Sequence, residues 1–237
     1  MGFGNAAFAE YVAWPVSRLL AVPEGWSFTQ AGAFPVAWLT AHGCLRVGRL
    51  SAGETVLIHA AAGGVGSAAV RLAKHLGARV FATASSPEKL EIARRHGADE
   101  LIDYTKDDFA ARVLQKTDGR GVDLVLEMVG GEAFRRNFDA VVPFGRIVVF
   151  GAASFEQASI TNVQLMFQPV DVIGYHLVVM AQKRPDLMHH ALDEVRALVE
   201  QRVIVPEEPR CYPLAEAAQA LEDLGARKTT GKLVLVG

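Results

Sequence analysis

A glycine-rich turn is the feature of this sequence with the clearest chemistry. The segment His59-Ala-Ala-Ala-Gly-Gly-Val-Gly66 follows a short apolar run and precedes a stretch with helical spacing. Ala61, Gly63 and Gly66 occupy the three small-residue positions of a dinucleotide-binding turn. A helix that begins here directs free backbone N–H groups and a partial positive charge toward phosphate groups. The segment therefore predicts a site for a dinucleotide diphosphate, and the alternative is a strand-to-helix turn without a ligand.

The end of the next predicted strand indicates which dinucleotide is bound. In sites that prefer NAD, a carboxylate about 20 residues after the turn bonds the ribose 2′-hydroxyl. Here the strand ends in Ala84-Ser85-Ser86, without a carboxylate, and Lys89 supplies a cation one turn into the following helix. This pattern favours NADP(H) over NAD(H). The alternative makes Ser86 a helix cap and Lys89 a solvated surface charge.

Composition limits the classes of partner. The formal net charge of −2 gives no electrostatic basis for binding nucleic acid or an anionic membrane. Cys44 and Cys211 lie outside any Cys-x-x-Cys pattern, so neither a disulfide framework nor a thiolate zinc site is expected. No apolar run approaches the roughly 20 residues that span a bilayer, and the N-terminus lacks the features of a signal peptide. We expect a cytoplasmic protein that acts on a small molecule.

Alternating strand-like and helix-like patterns from about residue 54 to 176 predict the scaffold. The predicted strands are 55–59, 79–83, 101–102, 122–126, 146–150 and 170–175. The predicted helices are 67–76, the segment between Ser86 and Gly97, 108–116 and 132–141. Parallel neighbours need a crossover connection, and near-continuous apolar strands are covered on both faces. The fold class is therefore α/β, with a doubly wound parallel six-stranded sheet.

The two ends of the chain follow a different pattern. Residues 8–22 predict one or two strands broken by Pro15, and 30–45 predict a mostly buried helix despite Pro35. After residue 180 we expect helices at 186–201 and 214–224 and strands at 203–205 and 232–236.

Five motifs together resemble the zinc-independent quinone oxidoreductases of the medium-chain dehydrogenase/reductase superfamily. They are Gly53–Gly66, Phe8–Val12, Phe34–Ala41, Gly119–Asp123 and Gly231–Leu235. They occur in order over essentially the whole chain. The resemblance implies a six-stranded Rossmann sheet of order 3-2-1-4-5-6 and a GroES-like catalytic domain. The cofactor would lie across the crevice between the first and fourth strands.

The resemblance also implies where the cofactor is held. The diphosphate positions are Gly63, Gly64 and Val65. The 2′-phosphate positions are Ser85, Lys89, Tyr104 and Arg227. The positions near the nicotinamide are Thr40, Phe150 and Gly151. Alone, Tyr104 would be a surface ring and Arg227 a solvated charge, but their joint match to one phosphate site favours binding. No catalytic residue is assigned, and Glu127 either faces the ribose or caps its strand.

A metal is not expected. Zinc-dependent relatives carry a zinc-binding cysteine four residues before the threonine that matches Thr40, and this position is Val36 here. An isopropyl group cannot bind zinc, which needs Cys, His or carboxylate ligands. His189 and His190 are adjacent, so on a helix they diverge by about 100° and form a poor chelating pair.

The chain departs from the family pattern at its beginning, where most of the GroES-like domain precedes the motif Phe8–Val12 in other members. The expected organisation is a remnant of that catalytic domain with its linking helix (1–45), a Rossmann domain (46–180) and a segment returning to the catalytic domain (181–237). Hydride transfer requires an acceptor held close to the cofactor with water excluded. The sequence therefore predicts cofactor binding but not efficient catalysis by this chain.

Three functions are consistent with the sequence. The first is an NADPH-dependent, zinc-free reductase that delivers hydride to a quinone or an α,β-unsaturated carbonyl. The second is an enoyl-thioester reductase of fatty-acid or polyketide type, and the third is a non-catalytic NADPH-binding module. The resemblance further implies a homodimer formed through an edge strand near residues 172–177.

Overall fold

The computed structural model describes residues 7–14, 16 and 19–237. They form two compact units. The terminal unit contains the described residues up to Thr40, together with Gly63–Val65 and Leu177–Gly237. The sheet unit contains Ala41–Ala62 and Gly66–His176. The domain boundaries expected from the sequence, 45/46 and 180/181, stay a prediction.

The sheet unit contains six parallel strands. They are β1 (Thr55–Ile58), β2 (Arg79–Ala84), β3 (Glu100–Asp103), β4 (Val122–Glu127), β5 (Val141–Val149) and β6 (Asp171–Gly174). Their order is β3-β2-β1-β4-β5-β6, and every neighbouring pair is parallel. The predicted fold class and the strand order implied by the resemblance are therefore confirmed. The order reverses direction between β1 and β4, and in open α/β sheets ligands bind at the carboxyl ends of the strands beside such a switch point.

Helices connect these strands and extend into the terminal unit. Those up to β6 are α1 (Phe28–Val47), α2 (Gly64–His75), α3 (Pro87–Arg95), α4 (Phe109–Lys116), α5 (Gly131–Ala140) and α6 (Asn162–Phe167). The predicted start of α3 is confirmed, because the Ser86 hydroxyl caps it by accepting a hydrogen bond from the Lys89 backbone N–H.

The sheet is buried on both faces because its central strands are apolar at successive positions. Leu57, Phe81, Val125 and Ile147 come from four adjacent strands and are fully buried in one cluster with Val113 of α4. Successive strand side chains point to opposite faces, so an apolar run without alternation fits only a sheet covered on both sides. The sheet therefore provides a rigid base for the loops at its carboxyl edge.

The terminal unit also contains α7 (Leu177–Lys183), α8 (Pro185–Glu200), α9 (Ala217–Gly225) and the strands β7 (Arg210–Pro213) and β8 (Leu233–Val236). β7 and β8 form a parallel pair. The strand predicted at 203–205 is wrong. The backbone N–H groups of Val203 and Ile204 donate to the Leu198 carbonyl, so this segment closes the end of α8 instead of joining a sheet.

The strands predicted at 8–22 are also wrong for the residues that the structure describes there. Pro15, the predicted break between them, lies outside the described residues. Leu19 forms only an isolated bridge, and the Tyr11 side chain is 90% exposed. Extended backbone becomes a strand only when a neighbouring strand satisfies its hydrogen bonds, and local sequence does not supply that partner.

Candidate dinucleotide site

The turn between β1 and α2 brings backbone segments into unusually close contact. A Cβ added to Gly66 would lie 2.2 Å from the carbonyl oxygen of Ala60, so no side chain fits there. Ala60 itself has a left-handed backbone, with φ of 49°. The Ser67 hydroxyl donates to the Ala61 carbonyl and fixes the start of the helix against the turn. This is the close helix–strand packing that the glycine pattern predicts.

The start of α2 is suited to an anion. The first backbone N–H groups of a helix have no partner within the helix, and the helix dipole makes that end partly positive. The first turn of α2, which begins at Gly64, contains no acidic residue. An external phosphate would therefore meet donors and no competing carboxylate from this turn.

Within the terminal unit, the same turn lies beside the strand near the chain's C-terminus. Gly63 forms a parallel bridge with Gly231. A Cβ added to Gly64 would lie 2.5 Å from Cδ of Lys232, so the lysine stem occupies the space that glycine leaves open. Lys232 is half-buried, and burial lowers the pKa of its ammonium group. This residue was not predicted from the sequence, although the motif beginning at Gly231 was one of those that carried the resemblance.

Three of the four predicted 2′-phosphate residues lie together at the carboxyl ends of β2 and β3. The Lys89 ammonium donates to the Ser85 hydroxyl at 3.3 Å. The Tyr104 N–H donates to the Ala84 carbonyl at 3.2 Å, and the Tyr104 side chain is 39% exposed. Lys89 is half-buried. The fourth residue, Arg227, belongs to the terminal unit and is exposed.

The residues predicted near the nicotinamide divide between the two units. Phe150 follows β5, and its N–H donates to the Glu127 carbonyl at 2.9 Å. A Cβ on Gly151 would lie 3.1 Å from Cβ of Met128, so the loops after β4 and β5 are in contact. Thr40 is buried, 8% exposed, on the part of α1 that belongs to the terminal unit.

Glu127, at the end of β4, is a fully buried carboxylate. Its Oε1 accepts hydrogen bonds from the N–H groups of Val129 and Gly130, at 2.5 and 2.7 Å. Its Oε2 accepts a hydrogen bond from the Asn137 side-chain amide. Of the two roles that the sequence left open, these contacts correspond to capping: the carboxylate holds the backbone that follows its own strand.

The hydrogen bonds continue from Glu127 as a chain with a fixed direction. Because Asn137 donates from Nδ2 to a carboxylate, its Oδ1 is left to accept from His59 Nε2, which lies 2.8 Å away. In the tautomer that carries its only ring proton on Nε2, His59 Nδ1 accepts from the Thr83 hydroxyl, which lies 3.0 Å away. We call these four residues the buried polar chain. It connects the ends of β1, β2 and β4 with α5, so the floor of the crevice is held by side chains that are all buried.

The described residues contain no group of three or more His, Cys, Asp and Glu side chains that could hold a metal ion. Val36, predicted from the resemblance to replace the zinc-binding cysteine of zinc-dependent relatives, has a side chain that is 47% exposed. Burial raises the pKa of the Cys44 thiol, which disfavours the thiolate that binds metals. No helix in the described part of the chain is long and apolar enough to cross a membrane.

A parallel sheet with a glycine turn beside its switch point defines the Rossmann class of dinucleotide-binding proteins. A profile described as zinc-binding dehydrogenase matches residues 64–194. A quinone oxidoreductase from Pseudomonas aeruginosa is 38% identical over 246 residues, which cover 97% of this chain and 71% of that protein. The chain therefore belongs to the quinone oxidoreductase-like medium-chain dehydrogenases/reductases.

Two further similarities bear on function. The quinone oxidoreductase from Thermus thermophilus, whose structure is also known in complex with NADPH, is 38% identical. It superposes with a TM-score of 0.85 over 97% of this chain and 73% of that one. A highly reducing polyketide synthase from Emericella nidulans is 36% identical over 219 residues. These cover 90% of this chain but only 8% of that synthase.

Proposed function

We propose that this chain binds NADP(H) and transfers hydride to a small molecule, either a quinone or an α,β-unsaturated carbonyl. The observation that carries the proposal is the glycine turn after β1, where Gly66 admits no side chain and α2 begins without a carboxylate. Similarity to quinone oxidoreductases, one of them solved with NADPH, supports the same reaction. NADPH, when bound, supplies the hydride.

The proposal assigns residues of this chain to three parts of the cofactor. In the proposal, the backbone of Gly63, Gly64 and Val65 binds the diphosphate, because helix N-terminal amides favour anions. Ser85, Lys89, Tyr104 and Arg227 surround the 2′-phosphate. Thr40, Phe150 and Gly151 lie near the nicotinamide. The buried polar chain holds the floor of the crevice in place while the cofactor binds.

Preference for NADPH is proposed from the residues at the end of β2. Ser85 and the half-buried Lys89 are joined at 3.3 Å, and β2 ends without a carboxylate that would repel a phosphate. Fluorescence titration should therefore find NADPH bound at least about tenfold more tightly than NADH, the effect expected for one charge-assisted hydrogen bond. Equal affinities would contradict the proposed preference.

The remaining parts of the proposal concern metal, assembly and location. We propose zinc-free chemistry, because Val36 replaces the zinc-binding cysteine; stoichiometric zinc in elemental analysis would contradict it.

We propose a homodimer through β6, where Val172 is 37% exposed, and light scattering during size-exclusion chromatography tests it. A cytoplasmic location is proposed from the sequence, and fractionation of the source cells tests it.

A second candidate is an enoyl-thioester reductase. The observation that favours it is the match of 90% of this chain to a segment of a polyketide synthase. NADPH consumption with a quinone and with an enoyl-thioester separates the two reductase activities. Tight NADPH binding without turnover of either acceptor would favour the third function, a non-catalytic NADPH-binding module.

A further inference from the structure

Lys232 is placed against the diphosphate turn by the backbone on both sides of the contact. The bridge between Gly63 and Gly231 aligns the two segments. The residues that follow them, Gly64 and Lys232, are therefore also neighbours. Cγ and Cδ of Lys232 lie 2.9 and 2.5 Å from the position that a Cβ on Gly64 would occupy. The lysine stem therefore passes directly beside the backbone of the turn, and its ammonium group is two bonds beyond the point of contact.

Among the described residues, this cation has no protein counter-charge. Over residues 7–14, 16 and 19–237, no hydrogen bond or ion pair of the Lys232 side chain is present. Another largely buried cation, Arg146, is paired with the Glu54 carboxylate at 2.6 Å. Burial lowers the pKa of Lys232, which means that its charged form is poorly solvated where it lies. A partly buried, unpaired charge costs free energy unless an anion binds to it.

We propose that Lys232 is a ligand of the dinucleotide diphosphate and donates a charge-assisted hydrogen bond to one of its non-bridging oxygens. The inference rests on the proposed function, since it requires a dinucleotide at this turn. It adds a side-chain cation to a site otherwise made of backbone N–H groups. It also separates two roles, because the diphosphate is common to NADPH and NADH whereas the 2′-phosphate is not. Lys232 contributes affinity for both dinucleotides, and Lys89 contributes the preference between them.

Lys232→Met tests the inference, because methionine keeps a similar unbranched stem and removes the charge. Calorimetric titration should find NADPH and NADH both weakened by about tenfold or more and by the same factor, as expected for loss of one charge-assisted hydrogen bond. The matched control is Lys183→Met, which removes an exposed cation from the same unit and should leave both affinities unchanged.

A second readout does not involve the cofactor. Thermal unfolding of the ligand-free Lys232→Met protein should occur at the same or a higher temperature than in the wild type, because an unpaired charge has been removed from a poorly solvated place. Lys232→Arg, which keeps the charge, should bind both dinucleotides within about threefold of the wild type, a difference of less than 1 kcal/mol. If the methionine variant does not fold, the arginine variant alone decides, and a tenfold loss of affinity there overturns the inference.

The outcomes distinguish this inference from the proposed function. Wild-type protein that binds neither dinucleotide would contradict the proposed function itself. Wild-type binding that Lys232→Met leaves unchanged would overturn only the role of Lys232. A loss confined to NADPH would place Lys232 at the 2′-phosphate and would also overturn the inference.

Discussion

Two turns that lead from a strand of the parallel sheet into a helix look alike in sequence but differ in whether the chain supplies an anion to them. The turn after β1 and the turn after β4 each contain a Gly-Gly pair, Gly63-Gly64 and Gly130-Gly131, just before a helix. After β4, the chain supplies its own anion, because the Glu127 carboxylate accepts hydrogen bonds from the backbone N–H groups of the turn. After β1, the first turn of the helix contains no carboxylate. We infer that its anion comes from the cofactor.

In these two turns, the residue at or just after the end of the strand determines whether the chain itself supplies an anion to the turn. β4 ends in a carboxylate that reaches forward to its own turn. His59, which follows β1, instead joins Asn137 and Thr83 through its ring nitrogens and contributes no charge-bearing acceptor to the turn. We infer that the turn after β4 is fixed without a ligand, whereas the turn after β1 is available to an external anion.

The largest effect is expected at the turn after β4, where the Glu127 carboxylate accepts hydrogen bonds from the backbone of the turn. Glu127→Ala removes the acceptor of three hydrogen bonds, one of them from the buried Asn137 amide, and opens a cavity, so it should lower the free energy of unfolding by about 4 kcal/mol. Urea denaturation measures this change. The control is Glu132→Ala, which removes a carboxylate that is 70% exposed on the following helix and should cost less than about 0.5 kcal/mol. Equal losses would mean that the contacts of Glu127 do not stabilise the turn.

The second-largest effect is expected at the turn after β1, where the first turn of the helix contains no carboxylate. Gly66→Ala would place a Cβ 2.2 Å from a backbone carbonyl oxygen that cannot rotate away, so the turn must shift. We expect a loss of about 2 kcal/mol in unfolding free energy and weaker binding of NADPH. Gly174→Ala is the matched control in the same unit, because a Cβ there meets nothing within 4 Å. If both alanine variants were equally stable, the close approach at Gly66 would be wrong.

A selective effect is expected at the proposed 2′-phosphate site. Lys89→Ala should weaken NADPH by about tenfold and leave NADH nearly unchanged, as measured by fluorescence titration. Lys116→Ala, which removes an exposed cation paired with Glu100, should change neither affinity. A uniform loss for both dinucleotides would move Lys89 away from the 2′-phosphate.

The smallest effect is at Glu54, just before β1, away from both turns. The hydrogen bond from Arg146 is the main reason that the pKa of the Glu54 carboxyl falls below its ordinary value of 4.5. A carboxyl with a lowered pKa in the folded state stabilises the protein above its unfolded-state pKa and loses that contribution as pH falls through the folded-state value. Glu54→Gln should therefore cost about 1 kcal/mol at pH 7. The difference from the wild type should shrink below pH 4.5, and thermal unfolding across pH 3–7 measures it.

The strands of the sheet could be predicted from the sequence because the pattern that indicates each strand lies within a few consecutive residues. Runs such as residues 56–58 and 124–126 are apolar at successive positions, which fits strands covered on both faces. The helix cap at Ser86 and the glycine turn could also be predicted, since each depends on residues a few positions apart. The short helix α6 was missed although Thr161 and Gln164 form a capping box, a signal that the sequence did contain.

What could not be predicted depends on residues far apart in the chain. The parallel pairing of Arg210–Pro213 with Leu233–Val236 needs a partner that local pattern does not identify, so β7 was missed. The contact between Gly64 and Lys232 has the same origin. The buried polar chain was not foreseen either, because Thr83, Asn137 and Glu127 belong to different elements and no local pattern joins them. The cofactor-binding residues themselves were assigned by resemblance and stay a prediction.

The bridge between Gly63 and Gly231 has a consequence for how the molecule acquires its binding site. Residues separated by most of the chain must meet before the turn has its final neighbours, and closing so large a loop is entropically expensive. Contacts of such high sequence separation form slowly during folding. We therefore expect Gly63 to acquire its neighbour Gly231 later in folding than the local contacts on either side of it.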